Sequence, residues 1–144
     1  MKFSAEVLSH GISSASGELA WKREYVFRAI DELIENEFAI LGGEVWALVE
    51  ENEIDSKIPP LTRIDSRTYA LGVIDCKDGE TSVFGWVTER ELAETWDQYL
   101  LKTREEAILS IEELNVENEV VLKYKNSIYY HLIYANKKKF KNIR

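Results

Sequence analysis

The sequence predicts an α+β fold, in which two main helices pack on a mostly antiparallel sheet. Two stretches place apolar residues at three- and four-residue steps, and about five others are rich in β-forming residues. The last two strand candidates are separated only by a short turn at 125–127, which permits only antiparallel pairing. A chain of 144 residues with 45% apolar content is long enough to bury roughly two-thirds of its unfolded surface. We therefore assign residues 1–144 to a single α+β domain.

The first part of the chain contains one weak element and one clear helix. Residues 2–12 follow neither the helix period nor the strand period, and we interpret them as a weak strand or an ordered arm. A loop of small residues at 13–17 comes next. The helix after it has one apolar face opposite charged side chains, and Asn36 suits the left-handed residue that ends a helix. The apolar face consists of Val26, Ala29, Ile30, Leu33 and Ile34.

A nearly continuous apolar run over residues 38–49 predicts a central strand that is buried on both faces. Gly42 and Gly43 interrupt it, and glycine inside a strand indicates a bulge or the close approach of another backbone. Glu44 is the one charge in the run, and at a period of two it shares a face with Trp46. Glu44 is therefore either a solvated residue at a strand edge or a contact for a partner.

An acidic segment follows the central strand. Residues 50–57 are too polar for a strand interior, so we predict a solvated loop, which Pro59 and Pro60 keep extended. The patterns at 68–75 and 81–87 predict two paired strands, joined by a turn at 77–80 with Asp-Gly at its centre. The carboxylates of the acidic segment are Glu50, Glu51, Glu53 and Asp55.

The last part of the chain predicts a long helix, a hairpin and a tail. Residues 88–91 match a capping box that begins the helix at Thr88, and Asn115 can end it. Residues 120–124 and 128–134 predict a hairpin, and 137–144 a frayed basic tail. The apolar stripe of the helix consists of Leu92, Trp96, Tyr99, Leu100, Ala107, Ile111 and Leu114.

The charge is unevenly distributed along the chain. Residues 1–119 hold all 26 acidic residues and 11 of the 18 basic ones, whereas 120–144 hold only basic ones. An acidic body of this kind repels nucleic acid and attracts basic partners, although the basic end could also fold back on it. No apolar run approaches the roughly 18–20 residues that cross a bilayer, and residues 1–20 do not resemble a signal peptide. Together with the lone Cys76, this predicts a cytoplasmic protein without a membrane segment.

The sequence contains no strong catalytic signature. The Leu-Gly-Gly-Glu sequence lacks the Lys-Ser/Thr of a phosphate-binding loop, and the two histidines are far apart in the chain. His131 lies among aromatic residues and is predicted to be a packed or surface histidine rather than a general base. We expect no catalytic residue, no cofactor and no metal. Two alternatives stay open: a small-molecule-binding or regulatory module, and a small enzyme that uses Glu44 with Asp75.

Most of the tryptophans are predicted to be core residues. Trp46 is the exception, because it follows the glycine pair and precedes the acidic segment. Part of its indole could therefore be exposed as an interface anchor.

The Leu-Gly-Gly-Glu-Val-Trp sequence at 41–46 carries a family resemblance. It follows a helix that contains Ala-Ile-Asp-Glu-Leu and precedes a helix with Trp96 and Tyr99. In this order it resembles the immunity protein 40 family of bacterial polymorphic toxin systems, over residues from about 21 to 111. The resemblance implies a small cytosolic α+β protein, encoded beside a toxin, that neutralises the toxin by binding and has no catalytic activity.

These observations lead to a predicted binding surface. We expect an acidic surface to face a basic cleft on a cognate toxin domain, such as a nuclease, because carboxylates can occupy subsites that hold phosphates. The predicted partner-binding residues are Glu44, Trp46, Glu50, Glu51, Glu53 and Asp55, and then the acidic turn Asp75, Asp78 and Glu80.

Overall fold

The computed structural model describes residues 1–60, 62–74, 81–114 and 117–143, and it confirms the α+β prediction. The predicted turn at 77–80, Cys76 and Asn115 lie outside these residues. The helices are α1 (Ala5–Ser9), α2 (Arg23–Glu35), α3 (Trp96–Glu112), α4 (Glu119–Lys123) and α5 (Lys137–Ile143), with 3-10 turns at Glu51–Glu53 and Lys125–Ser127. The strands are β1 (Gly11–Ser13), β2 (Leu19–Trp21), β3 (Phe38–Leu48), β4 (Thr62–Arg63), β5 (Thr68–Ala70), β6 (Gly72–Ile74), β7 (Thr81–Val83), β8 (Gly85–Val87) and β9 (Ile128–Asn136).

Strand β3 is the central strand, as predicted. The main sheet has the order β1-β2-β9-β3-β5-β4, and β8 pairs with β3 on the same side as β5. β6 and β7 form a separate two-stranded sheet, and every pair is antiparallel. The two predicted strands at 68–75 and 81–87 are therefore each divided. β5 and β8 pair with β3, whereas β6 and β7 pair with each other.

The sheet curls until its two ends meet. The amide of Ala15, after β1, donates a hydrogen bond of 2.9 Å to the carboxylate of Asp65, which lies between β4 and β5. Burial acts to raise the pKa of Asp65, but bonds from the amides of Arg67 and Ala15 and from Thr68 lower it overall. Asp65 is thus held as a carboxylate that joins the first and last strands of the sheet.

Helices α2 and α3 cover one face of the sheet. Val26, Ala29, Ile30 and Leu33 of α2 are buried, as predicted, and pack with Ile40 of β3. The predicted helix end is wrong by one residue: Asn36 has a φ of −96°, and Glu37 adopts the left-handed conformation with a φ of 60°. Asn36 instead donates its side-chain amide to the carbonyl of Glu32, so it caps the helix with its side chain.

The interpretation of residues 2–12 as a strand or arm is wrong for residues 5–9, which form α1, whereas residues 11–12 do belong to a strand. Ser4 caps α1 by accepting the amide of Val7 at 3.2 Å, and β1 begins at Gly11. Strand β2 was also missed, since its three residues directly precede α2. Elements of three to five residues are too short to establish a hydrophobic period, so contacts with the rest of the fold determine them.

The predicted start of the long helix at Thr88 is also wrong. Helix α3 begins at Trp96, where Thr95 and Gln98 form the capping box. Thr88 is buried, and its carbonyl accepts a hydrogen bond of 2.7 Å from the hydroxyl of Tyr99. The chain contains two capping-box sequences close together, and the second one is used. From Trp96 onward the predicted stripe is confirmed, whereas Leu92 is fully exposed.

The predicted hairpin at 120–134 is absent from the fold. Residues 119–123 form α4, whose first amides are capped by the side chain of Asn118. β9 pairs with β2 and β3 instead, so both of its edges are already occupied. The antiparallel character of the sheet was predicted correctly, but it arises from the pairing of β3 with β9 rather than from a terminal hairpin.

The C-terminal segment is an ordered helix over the described residues, so the prediction of a frayed tail is wrong. In α5 the ring of Phe140 is buried, with centroids 5.8 Å from Trp96 and 5.3 Å from Tyr99. Most side chains of this segment are basic, but Phe140 is apolar and fixes the segment to a hydrophobic cluster with Trp96 and Tyr99. None of the helices in the described parts of the chain has the length and apolar character required to cross a membrane.

We expect Phe140→Ala to lower the free energy of unfolding by about 2–3 kcal/mol, below the full range for a buried phenylalanine because a chain end can relax. Urea denaturation measures this change. Lys139→Ala, in the same helix, is the control and should have little effect. Equal stability of the two variants would show that α5 does not contribute to the fold.

Candidate partner interface

Trp46 is buried, so the prediction of a partly exposed indole is wrong. Its side chain is 1% exposed and stacks on the imidazole of His131, with ring centroids 4.3 Å apart. It lies on the face of β3 opposite the main core, where Ile12 and Ile64 from the two ends of the sheet pack around it. The curl of the sheet therefore covers a tryptophan that a flat sheet would have left open.

Glu44 lies inside the sheet rather than at an edge. Its register partners are Gly85 of β8 and His131 of β9, and its side chain is partly exposed. The indole nitrogen of Trp46 donates a hydrogen bond of 3.3 Å to Oε2 of Glu44, which confirms that the two share a face.

His131 is a packed histidine, as predicted. Its Nδ1 lies 2.9 Å from the carbonyl of Leu19, and its Nε2 lies 3.3 Å from the carboxylate of Glu18. Glu18 is about half exposed, so this carboxylate reaches the surface beside the ring. The arrangement orients His131 under Trp46, and it places the carboxylates of Glu18 and Glu44 as its neighbours.

The acidic segment is a loop that contains a 3-10 turn. Glu50 and Glu53 cap this turn reciprocally. Asp55 accepts the amide of Lys57 at 2.8 Å and pairs with the ammonium of Lys123 at 3.2 Å. The Lys57 amide, and then Lys123, hold the pKa of Asp55 below its usual value. The segment is therefore anchored to α4, and part of the basic C-terminal region does fold back on the acidic body.

The charge of this segment is partly neutralised by its neighbours. Arg67 lies 3.8 Å from Glu50, and Lys123 pairs with Asp55. Glu51 is exposed and makes no ion pair with another residue in the described ranges. Of the four predicted carboxylates, Glu51 is thus the most available to a partner.

The structure does not bring Glu44 and the acidic segment together at one point. A rise of about 3.3 Å per residue places Glu44 roughly 13 Å from Leu48, where β3 ends, and the segment begins beyond it. Asp75, Asp78 and Glu80 lie outside the described residues. The predicted surface therefore consists of separate patches.

Helix α3 presents an acidic and apolar surface that the sequence reasoning missed. The side chains of Leu101 and Leu109 are 59% and 52% exposed, among exposed carboxylates. The basic residues of this helix bond elsewhere: Lys102 to Glu94 at 2.7 Å and Arg104 to Asp31 at 3.1 Å. We name this surface the α3 face, and it consists of Asp97, Leu101, Glu105, Leu109 and Glu112.

The phase of α3 could have revealed these leucines. The buried positions Trp96, Leu100, Ala107 and Ile111 define one stripe, and Leu101 and Leu109 fall outside it. Exposed apolar side chains ringed by charged ones are typical of protein interfaces.

The residues that the structure describes offer no obvious catalytic or metal centre. Within residues 1–60, 62–74, 81–114 and 117–143, no group of three His, Cys, Asp or Glu side chains could hold a metal ion. A surface cleft of about 850 Å³ is present, but Glu44 does not line it. Asp75, the other residue of the enzyme alternative, lies outside the described ranges.

Comparison with known proteins gives one match. Residues 8–134 match the family described as Immunity protein 40. The match extends beyond the range of the resemblance in the sequence and includes the short strands β1 and β2 and most of β9. No curated protein and no solved structure is significantly similar to the chain.

Proposed function

Because the chain belongs to the immunity protein 40 family, we propose that it binds and neutralises a cognate bacterial toxin domain and catalyses no reaction itself. The family match over residues 8–134 is the observation that carries this proposal. The toxin is proposed to be encoded beside this protein in a polymorphic toxin system, with neutralisation in the cytoplasm.

A basic toxin surface, such as the substrate cleft of a nuclease, is the proposed partner. The net charge of −8 supports this, since opposite charges accelerate association. Glu44 and the acidic segment are proposed contacts. Glu51 is the carboxylate of the segment that is most available to a partner. Trp46 contributes indirectly, by holding the carboxylate of Glu44. The acidic turn, Asp75, Asp78 and Glu80, remains a second proposed contact.

Growth rescue tests the proposal as a whole. The toxin domain encoded next to this gene is expressed alone, and then together with this protein. We expect the toxin domain to arrest growth alone and growth to recover on co-expression, with a complex that survives co-purification. Continued growth arrest despite folded, abundant protein would contradict the immunity role towards that toxin.

Neutralising the acidic segment should slow association with the toxin. The variant Glu50→Gln, Glu51→Gln, Glu53→Gln, Asp55→Asn should associate roughly tenfold more slowly at low salt, and its rate should depend less on ionic strength. Stopped-flow mixing at several salt concentrations measures both effects.

A second charge variant is the matched control. Glu105→Gln, Glu106→Gln, Glu112→Gln, Glu113→Gln removes the same number of charges from α3. If the acidic segment is a contact, the segment variant slows association more than the α3 variant does. Equal rates would show that only net charge matters, and a larger effect on α3 would transfer the interface to the α3 face.

A further inference from the structure

A mainly apolar cleft of about 850 Å³ opens beside the first turn of α2, between this helix, α4 and the start of β9. This volume is in the range of small-molecule sites, which combine apolar walls with a few polar groups. The apolar walls include Phe27, Val121, Leu122 and Ile128.

The polar lining of the cleft carries an excess of positive charge, although the chain as a whole is acidic. Lys22, Arg23 and Lys125 line it together with only two acidic residues, Glu24 and Glu117. None of the three basic residues makes a salt bridge within the described part of the chain. An anion entering the cleft would therefore meet cations that form no ion pair with a carboxylate of the described residues.

The first turn of α2 also leaves backbone donors available. Lys22 occupies the N-cap position, and no side chain caps the helix. The amide of Tyr25 already donates to the carbonyl of Lys22, so the amides of Arg23 and Glu24 are the ones left without an intrahelical partner. Such amides carry partial positive charge and favour an anion. Since the helix has 13 residues, this dipole is well developed.

Tyr130 places a hydroxyl group on the wall of the cleft. Its side chain lines the cleft and is 4% exposed, yet its hydroxyl makes no hydrogen bond within the described residues. Burial raises the pKa of this hydroxyl, and the nearby Arg23 partly offsets that effect. The hydroxyl oxygen is not among the buried, unpartnered side-chain atoms of the described residues, so it opens into the cleft and can donate to a ligand oxygen beside Arg23.

We propose that this cleft binds an organic carboxylate with an apolar body. The carboxylate accepts hydrogen bonds from the Tyr130 hydroxyl and the first amides of α2, and it pairs with Arg23, while the apolar body lies against Phe27, Val121 and Leu122. A toxin side chain is a poorer fit, because the polar backbone that carries it would be pressed against apolar walls.

Octanoate is the probe, titrated into the full-length protein by isothermal titration calorimetry. We expect saturable binding at one site, and binding at least about tenfold weaker for 1-octanol, which lacks the charge, and for acetate, which lacks the apolar body. Tyr130→Phe and Arg23→Gln should each weaken octanoate binding by about tenfold, as the loss of a charge-assisted hydrogen bond does. Tyr130→Phe removes an unpaired hydroxyl, so it should fold as well as the parent.

Tyr129→Phe and Arg67→Gln are the matched controls, since neither residue lines the cleft. Both should bind octanoate within about twofold of the parent. The proposal is overturned if octanoate does not saturate, if octanol binds equally well, or if Tyr130→Phe and Arg23→Gln bind like the controls. It is also overturned if the two cleft variants weaken toxin binding while octanoate does not bind, because an acidic toxin segment would then be the occupant. Failure of the cleft proposal leaves growth rescue unaffected, so the two tests are independent.

Discussion

Gly42→Val should lower the free energy of unfolding by at least about 3 kcal/mol, at or beyond the upper end of the ~1–3 kcal/mol range for overpacked cores. A Cβ atom at Gly42 would collide with the backbone carbonyl oxygen of Trp86, and one at Gly85 would collide with the carbonyl oxygen of Gly43. Backbone cannot rotate out of the way as a side chain can, so β8 would have to leave β3. Urea denaturation followed by circular dichroism measures the loss.

Two further variants separate the collision of the added Cβ atom from the ordinary cost of replacing a glycine. Gly42→Ala adds only the Cβ atom, and it should already be strongly destabilising. Gly17→Ala is the control, because Gly17 has a φ of +86° but open space around it, so its cost should be about 1 kcal/mol. If Gly42→Val were no less stable than Gly17→Ala, the close approach of β8 to β3 would be wrong.

The central strand could be predicted because its signals are local. The apolar run at 38–49 needs burial on both faces, and the glycine pair needs a neighbour too close for a side chain. Both features were predicted from consecutive residues. The glycines do not adopt positive φ, and close approach of β8 explains them. The predicted bulge is also present, since the pairing of β3 with β9 shifts register between Ile40 and Gly42.

The errors occur where distant contacts decide the structure. Trp46 is buried because Ile12 and Ile64, from the two ends of the curled sheet, pack around it. Phe140 packs against Trp96 and Tyr99, and this contact fixes the basic segment as a helix. Neither contact has a local sequence signal. The burial of Thr88 excludes the first of the two capping boxes, so α3 begins at the second one, whose first residue is Thr95.

The candidate surface was harder to predict than the fold. The sequence identifies carboxylates, but it does not show that Lys123 neutralises Asp55 or that Glu44 lies well away from the acidic segment. The α3 face does have a local signal, because Leu101 and Leu109 fall outside the phase of the buried stripe. Charge composition thus does not locate the contact.

Trp46→Ala should lower the free energy of unfolding by roughly 3–5 kcal/mol, as loss of a buried tryptophan does. The indole stacks on His131, packs with Ala20 and Ala70, and donates a hydrogen bond to Glu44, so its removal leaves a cavity and two unsupported polar side chains. The loss of support for the two polar side chains adds to the cost of the cavity, because Glu44 and His131 lose the group that orients them. Urea denaturation measures the change.

Two companion variants separate a core role of Trp46 from a contact role. Glu44→Gln keeps an oxygen acceptor for the indole and removes only the charge, so it should slow toxin association with little loss of stability. Leu101→Ala truncates a residue that is 59% exposed, and it should change stability by less than about 0.5 kcal/mol. If Trp46→Ala were as stable as Leu101→Ala, and toxin dissociation were faster, Trp46 would be an exposed anchor and the curl of the sheet would be wrong. The expected pattern is the reverse: Trp46 acts on stability, and Glu44 acts on association.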